Sequence, residues 1–250
     1  MAVMYCNRGM ISRGTGGNAV ASAAYRHATK MKNEVTGIVR DYSGKKDELV
    51  HEEIILPSDA PEWAVERYGQ ANARTASELL WNDIEARENQ HNHSATSRLA
   101  ESYTIALPAE LSRTQNIALV REFTRDHLTT NGSVADIVIH DKGDGNPHAH
   151  IMTTFRTLGE NGLDKRIRNY MSRDMDTTNL RFGWACSANY ALEKAGFEQR
   201  IDHRRLEEQG IELGPLTYNH EIAANVEVGE AQYRVKQRVL EARLANETYL

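Results

Sequence analysis

Three histidines, at positions 140, 148 and 150, lie within the stretch HDKGDGNPHAHIM. Because side chains alternate across a β-strand, His148 and His150 are expected on one face, with Ala149 on the other. The segment ADIVIH ends at His140, and the polar run DKGDGNP that follows predicts a turn between antiparallel strands. In-register pairing would place His140 across from the other two histidines, so that three imidazoles converge.

Three neutral imidazoles with open coordination positions could hold Zn, Mn, Ni, Co or Fe. Such a metal polarises a phosphoryl or carbonyl oxygen. The alternative is a histidine-rich turn whose rings bond to the backbone, which is the better interpretation for a single histidine but not for three at strand spacing. A second pair, His91 and His93 in QHNHS, lacks apolar strand flanks, and we expect it at a solvated helix end.

The elements around the histidines predict an α+β fold, a central antiparallel β-sheet flanked by helices. TIALP, ADIVIH and HAHIMTTF have the composition of strands, and 35–57 has that of two strands around the turn SGKKDE. A long polar loop is expected at 157–176. Helices are expected at 19–32, 60–69, 72–90, 112–128 and 177–195.

Composition limits the class of protein but does not identify it. The chain has 250 residues, of which 40% are hydrophobic and 26% charged, enough for one large domain. No apolar run approaches the roughly 18 residues of a membrane helix, so we expect no membrane insertion. Cys6 and Cys186 are far apart and are expected to be free thiols in a reducing cytosol. The net charge of −5 does not exclude a basic groove for nucleic acid.

Several stretches, taken in order, resemble the MobA/MobL (TraA-type, MobQ) conjugative relaxases of the HUH endonuclease superfamily. They are SRGTGGNAVASAAYRHATKM, DYS, HEEIILP, LWNDIEARE, IALPAEL, NIALVREF, HDKGDGNPHAHIM and IDHRRLEEQGIEL. The resemblance implies the HUH relaxase fold in a nicking and joining domain at 1–215. A helical extension is expected at 216–250, leading to a further C-terminal region.

The resemblance also implies a reaction and its nucleophile. A tyrosine attacks one phosphodiester of single-stranded plasmid DNA at the transfer origin, forms a 5′-phosphotyrosine and later rejoins the strand. The matching residue is Tyr25, beside Arg26 and His27, whose charges would favour phenolate and hold phosphate. The histidines would hold a divalent metal on the scissile phosphate. Mn or Mg is expected there, with Zn, Ni or Co as alternatives.

The general base is less clear than the nucleophile. Many relatives carry an acidic residue on the strand before the motif ALP-x-EL, where this chain has Ser102 and Thr104. The remaining candidates are Glu110, which matches the family motif, and Asp136, which shares the face of His140 by alternation. The metal and solvent alone are a third possibility.

Basic residues near the nucleophile and in the long loop are expected to contact DNA, although any one of them could be an ordinary surface charge. They are Arg13, Arg26, Lys30, Lys32, Lys165, Arg166 and Arg168. The resemblance further implies relaxosome accessory proteins and a type IV coupling protein as partners. It places the protein in the bacterial cytoplasm, from which it is translocated to the recipient with the DNA.

Alternative functions remain open. Rolling-circle replication initiators and HUH transposases share the chemistry but place the tyrosine after the histidine pair, whereas Tyr25 precedes it. From a different class, a zinc hydrolase would need no Tyr25, and a metal-stabilised single-stranded DNA-binding module would need neither metal nor tyrosine for activity.

Overall fold

The computed structural model describes residues 4–69, 72–90, 92–167, 177–204 and 209. The predicted boundary at 215, the helical extension at 216–250 and Arg168 lie outside these residues. None of the helices that are described has the length and apolar character needed to cross a bilayer.

A five-stranded sheet forms the centre of the fold. Its strands are β1 (Cys6–Ser12), β4 (Leu49–Ile55), β5 (Arg98–Ala106), β6 (Ala135–His140) and β7 (His148–Thr154). They lie in the order β1-β5-β7-β6-β4, and every neighbouring pair is antiparallel. The central antiparallel sheet predicted from the sequence is therefore confirmed.

Helices cover both faces of this sheet. They are α1 (Ala19–Arg26), α2 (Glu62–Tyr68), α3 (Ala73–Asn89), α4 (Arg113–Phe123) and α5 (Thr177–Lys194). One apolar core includes Trp81 with Met152, and the other includes Trp184 with Ile151. Because Ile151 and Met152 are adjacent on β7, their separation into two cores is the alternation expected of a strand buried on both faces.

The chain after α1 differs from the helix expected to continue to residue 32. Helix α1 ends at Arg26, and β2 (Lys30–Lys32) pairs with β3 (Val39–Asp41) in a two-stranded sheet. The helix prediction was wrong there because strand pairing and the burial of Met31 outweigh the local helix propensity. This two-stranded sheet gives helix α1 a short, sharply turned exit.

The predicted loop at 157–176 is also corrected. Its first part belongs to an antiparallel hairpin formed by β8 (Arg156–Gly159) and β9 (Gly162–Arg166). Buried Glu88 of α3 accepts hydrogen bonds from Arg156 and from Arg166, which fastens the hairpin to that helix. These contacts join residues far apart in sequence, so the polar composition alone suggested a loop.

Candidate metal centre

The three histidines meet at one end of strands β6 and β7. His140 pairs directly with His148, and His150 lies two residues further along β7 on the same face. Their ring centroids are 5.0 to 5.6 Å apart. One nitrogen from each ring lies within 4.8 Å of the corresponding nitrogens of the other two. The in-register convergence predicted from the sequence is confirmed.

Hydrogen bonds orient each ring and leave it one nitrogen for a metal. Nδ1 of His148 lies 3.0 Å from the Asn146 carbonyl, and Nε2 of His140 lies 2.7 Å from the Arg26 carbonyl. Because a carbonyl only accepts, both nitrogens carry hydrogen, which leaves Nε2 of His148 and Nδ1 of His140. The hydroxyl of Thr104 lies 3.2 Å from Nδ1 of His150, whose Nε2 remains.

The electrostatic environment favours the neutral form of His140 and His150. Burial, followed by the charges of Arg26 and the two other histidines, lowers the pKa of His150 to about 3. Burial also lowers the pKa of His140, although its hydrogen bond to the Arg26 carbonyl opposes that shift. Neutral imidazole is the form that ligates a metal.

The donor set fits a bound divalent metal. It offers three nitrogens on two rigid paired strands, while His148 and His150 are only partly buried and leave room for further ligands. Imidazole suits first-row transition metals, whereas Mg²⁺ prefers oxygen. The cluster therefore resembles an open three-histidine site more than a dedicated magnesium site.

Tyr25 lies in the last turn of α1, one residue before Arg26. Its side chain is 43% exposed, whereas the buried side of the helix consists of small residues such as Ala23 and Ala24. Its ring meets the ring of Tyr42 edge to face at a centroid distance of 5.3 Å. The exposure excludes core packing as the purpose of this tyrosine, and the next carbonyl along the chain, that of Arg26, binds His140.

The guanidinium of Arg26 is held between α1 and the sheet. It donates to the Ser22 carbonyl and to the Ser102 hydroxyl, each at 2.8 Å. Its Nε is buried and has no hydrogen-bond partner among the described residues. Since its charge also lowers the pKa of His150, this cation lies close to the candidate metal centre.

Hydroxyl groups occupy the strand positions where relatives led us to expect a carboxylate. Ser102 and Thr104 face α1 and the histidines, and both make the contacts given above. In the sequence, these two residues stand out only because an acidic residue was expected at their positions. The alternation of β5 was the signal that could have shown them to be partners of Arg26 and His150.

The two candidate bases have different surroundings. Asp136 shares the face of His140 as predicted, but it is buried and its oxygens accept from His27, Ser77 and Trp81. These contacts use both oxygens, so they do not support the expectation that Asp136 takes a proton from the tyrosine. Glu110 is partly buried in the turn between β5 and α4, outside the histidine cluster.

Five of the seven basic residues expected to contact DNA fall into two groups; Arg26 is described above, and Arg168 lies outside the described residues. Arg13 is paired at 2.6 Å with buried Glu85, and Arg166 is paired with Glu88, so both guanidinium groups stabilise the protein framework. The second group is exposed and consists of Lys30, Lys32 and Lys165. His93, one member of the second histidine pair, is exposed just after α3, while His91 lies outside the described residues.

Thr104 offers a direct test of the histidine orientation. Replacing it by valine is expected to weaken metal binding about 10-fold, because outer hydrogen bonds fix ligand rings. Thr104→Ser keeps the hydroxyl and should retain the affinity. Calorimetric titration of the metal-free protein with Mn²⁺ or Zn²⁺ measures both, and equal affinities in the valine and serine variants would contradict the assignment.

A family model and similar known sequences point to the same family. A model described as the MobA/MobL family matches residues 18–227. Conjugal transfer protein TraA of Rhizobium radiobacter is 40% identical over 238 residues, which cover 87% of this chain and 21% of that protein. Mobilization protein MobL of Acidithiobacillus ferridurans is 29% identical over 266 residues, covering 91% of this chain and 64% of that protein. The chain thus spans only a small part of the TraA relative.

Two solved structures are similar to the chain in fold. One described as "Molecular Basis of Vancomycin Resistance Transfer in Staphylococcus aureus" superposes with a TM-score of 0.69 at 28% identity, covering 82% of this chain and 100% of that one. The conjugative relaxase TrwC, metal-bound and in complex with oriT DNA, gives a TM-score of 0.50 at 12% identity, covering 78% and 72%. The TrwC likeness shows the fold alone. With the matched family model covering most of its length, the chain belongs to the MobA/MobL family.

Proposed function

We propose that this chain is the nicking and joining domain of a conjugative relaxase, acting on single-stranded DNA of a plasmid transfer origin. One observation carries the proposal: Nε2 of His140 lies 2.7 Å from the Arg26 carbonyl. This bond ties the three-histidine cluster to the residue that follows the exposed Tyr25. The family relationship supplies the context, since its named members are conjugal transfer and mobilization proteins.

In the proposed reaction, the Tyr25 hydroxyl attacks the scissile phosphorus. The new bond joins the phenolic oxygen to phosphorus, the bond to the 3′ oxygen breaks, and that oxygen leaves as a 3′-hydroxyl after taking up a proton. The reverse attack by a 3′-hydroxyl rejoins a strand without an external energy source, because the phosphoester is conserved. A metal on the histidines would supply positive charge to the phosphate oxygens during this displacement.

The chain's own residues would orient the phosphate and receive the proton. Arg26 presents a partly buried cation whose buried Nε has no protein partner in the described part of the chain, a suitable donor for a phosphate oxygen. Tyr25 is 43% exposed, so its proton can pass to solvent. Glu110 is the carboxylate that remains as an alternative base.

A groove beside the nucleophile suits the DNA strand. It has a volume of about 680 Å³, and its lining includes Tyr25, Arg26, Ile38, Arg40 and Tyr42. Aromatic and aliphatic side chains can contact a base while arginines contact the phosphates. We propose that the nucleotides next to the scissile phosphate occupy this groove, with exposed lysines such as Lys30 adding nonspecific attraction.

The cellular setting is proposed on the family relationship. A conjugative relaxase would act in the bacterial cytoplasm with relaxosome accessory proteins, engage a type IV coupling protein, and enter the recipient attached to the transferred strand. The curated relatives named as conjugal transfer and mobilization proteins support this setting.

The proposed function is tested with labelled single-stranded oligonucleotides that tile the plasmid's own transfer origin. In Mn²⁺, we expect one oligonucleotide to yield an upstream fragment with a free 3′-hydroxyl and a downstream fragment linked to the protein through its 5′ phosphate, a link that survives denaturing electrophoresis. Cleavage without a protein-linked fragment would instead indicate a hydrolase. Tight binding without any cleavage would indicate a binding module.

A further inference from the structure

His27 is completely buried at the end of α1, two residues after the proposed nucleophile. Its Nε2 lies 2.8 Å from a carboxylate oxygen of Asp136 on β6, and its Nδ1 lies 3.0 Å from a carboxylate oxygen of Glu52 on β4. No local sequence pattern predicts this arrangement, because Asp136 and Glu52 are 109 and 25 residues away from His27. The ring therefore connects the nucleophile helix to two strands of the central sheet.

The partners of His27 require it to be an imidazolium. An ionised carboxylate only accepts, so hydrogen bonds from both ring nitrogens need a hydrogen on each. Asp136 is held ionised, since Ser77 and Trp81 donate to its second oxygen at 2.6 and 2.7 Å. Burial works against a charged ring, but the charges and hydrogen bonds of Asp136 and Glu52 outweigh it and raise the pKa of His27 to about 9.

A second cation balances the cluster. The Nε of Arg74 on α3 lies 3.0 Å from the Glu52 carboxylate. His27 and Arg74 therefore neutralise Glu52 and Asp136, and we call these four residues the His27 clamp. Charges that are paired and hydrogen-bonded can be buried without the large cost of an isolated ion. The His27 clamp joins α1, α3, β4 and β6.

The backbone directly after His27 adopts a conformation that is unfavourable for a residue other than glycine. Ala28 has a φ of 46°, in the left-handed region that favours glycine, and the next amide, that of Thr29, donates to the Ala24 carbonyl. Such a conformation persists where the surrounding structure enforces it. Anchoring of His27 immediately before Ala28 supplies that enforcement and fixes where the nucleophile helix ends.

We propose that His27 is a positioning residue for DNA cleavage: by donating to Asp136 and Glu52 it holds the Tyr25–Arg26 segment in register with the strand that carries His140. This inference rests on the proposed nicking function and deepens it. Asp136 and His140 lie on the same face of β6, so one strand carries both the anchor of the nucleophile helix and a ligand of the candidate metal centre. His27 itself does not need to touch the DNA.

The first test compares His27→Gln with the wild-type chain in single-turnover cleavage. Glutamine cannot donate to both carboxylates, so the helix end should shift and cleavage at saturating DNA should slow about 100-fold, the effect of a displacement near 1 Å. The dissociation constant for the same oligonucleotide should stay within about threefold. Cleavage within threefold of wild type, or an equal loss of DNA binding, would overturn the proposal.

Glu101→Gln is the matched control. Glu101 is also a buried, ion-paired carboxylate, bound by Arg8 and by the Tyr103 hydroxyl, but it faces the opposite side of the sheet. It should lose stability without a comparable loss of cleavage rate in folded protein. A slowing equal to that of His27→Gln would show that any buried charge defect has the same effect, and would overturn a specific role for His27.

Two further measurements decide the question if His27→Gln does not fold. Glu52→Gln changes only the partly exposed acid of the clamp, and cleavage should slow about tenfold at unchanged DNA affinity. A wild-type rate in this variant would overturn the proposal. Nitrogen-15 NMR of the metal-free wild-type chain at pH 7.5 should show one histidine with both ring nitrogens protonated. The absence of such a histidine signal would also overturn the proposal. The NMR result does not depend on cleavage, so failure of the nicking function is distinguishable.

Discussion

Tyr25→Phe is expected to eliminate the covalent protein–DNA adduct and to lower cleavage by at least about 10⁴-fold. The substitution removes the oxygen that would bond to phosphorus and leaves the ring that contacts Tyr42. Because the side chain is 43% exposed, the variant should fold with nearly wild-type stability. Adduct formation on a denaturing gel and the affinity for the labelled oligonucleotide measure the two consequences separately.

Tyr42→Phe is the control for Tyr25→Phe. It makes the same chemical change in the neighbouring ring of the pair and should preserve the adduct. An adduct of equal yield in the Tyr25→Phe protein would disprove the nucleophile assignment. Loss of the adduct in Tyr42→Phe alone would transfer the assignment to that residue.

His148→Ala is expected to reduce metal affinity beyond detection and to slow cleavage by about 10² to 10⁴-fold. The imidazole is one of the three whose nitrogens lie within 4.8 Å of one another, so two ligands remain and the site is incomplete. DNA binding should change far less than cleavage, because His148 is one of many side chains expected near the DNA strand. Metal titration and single-turnover cleavage in Mn²⁺ measure the two effects.

His93→Ala controls for a general effect of removing a histidine. This residue is exposed after α3, and its side chain makes no capping hydrogen bond there. We expect the His93→Ala protein to have the metal affinity and the cleavage rate of the wild type. Equal losses of DNA binding and cleavage in His148→Ala would mean that the histidine cluster is structural.

The candidate site was predictable from the sequence where the contacts are local. The alternation of HAH and the turn after ADIVIH were enough to bring three rings together, because antiparallel register is determined by the turn and the two short strands. The outward position of Tyr25 follows from a similar local pattern, since the alanines of α1 mark the buried side, while its role as nucleophile stays a prediction.

What could not be predicted depends on distant partners. The His27 clamp combines residues from two helices and two strands, and no sequence pattern relates them. The exit of α1 at Ala28 likewise depends on the anchoring of His27 and on the pairing between β2 and β3, and not on local propensity. The polar stretch at 156–166 became a hairpin for the same reason, since Glu88 of α3 binds two of its arginines.

The hydrogen bond between His140 and the Arg26 carbonyl has a thermodynamic consequence. A ligand that binds His140 through its other nitrogen favours the ring state that donates to this carbonyl, so metal occupancy and docking of α1 against the sheet are linked. Linkage is reciprocal: whatever strengthens one of the two equilibria strengthens the other by the same factor. Loading the metal would then tighten the hold on the helix that carries the proposed nucleophile, and DNA that presses this helix onto the sheet would slow the release of the metal.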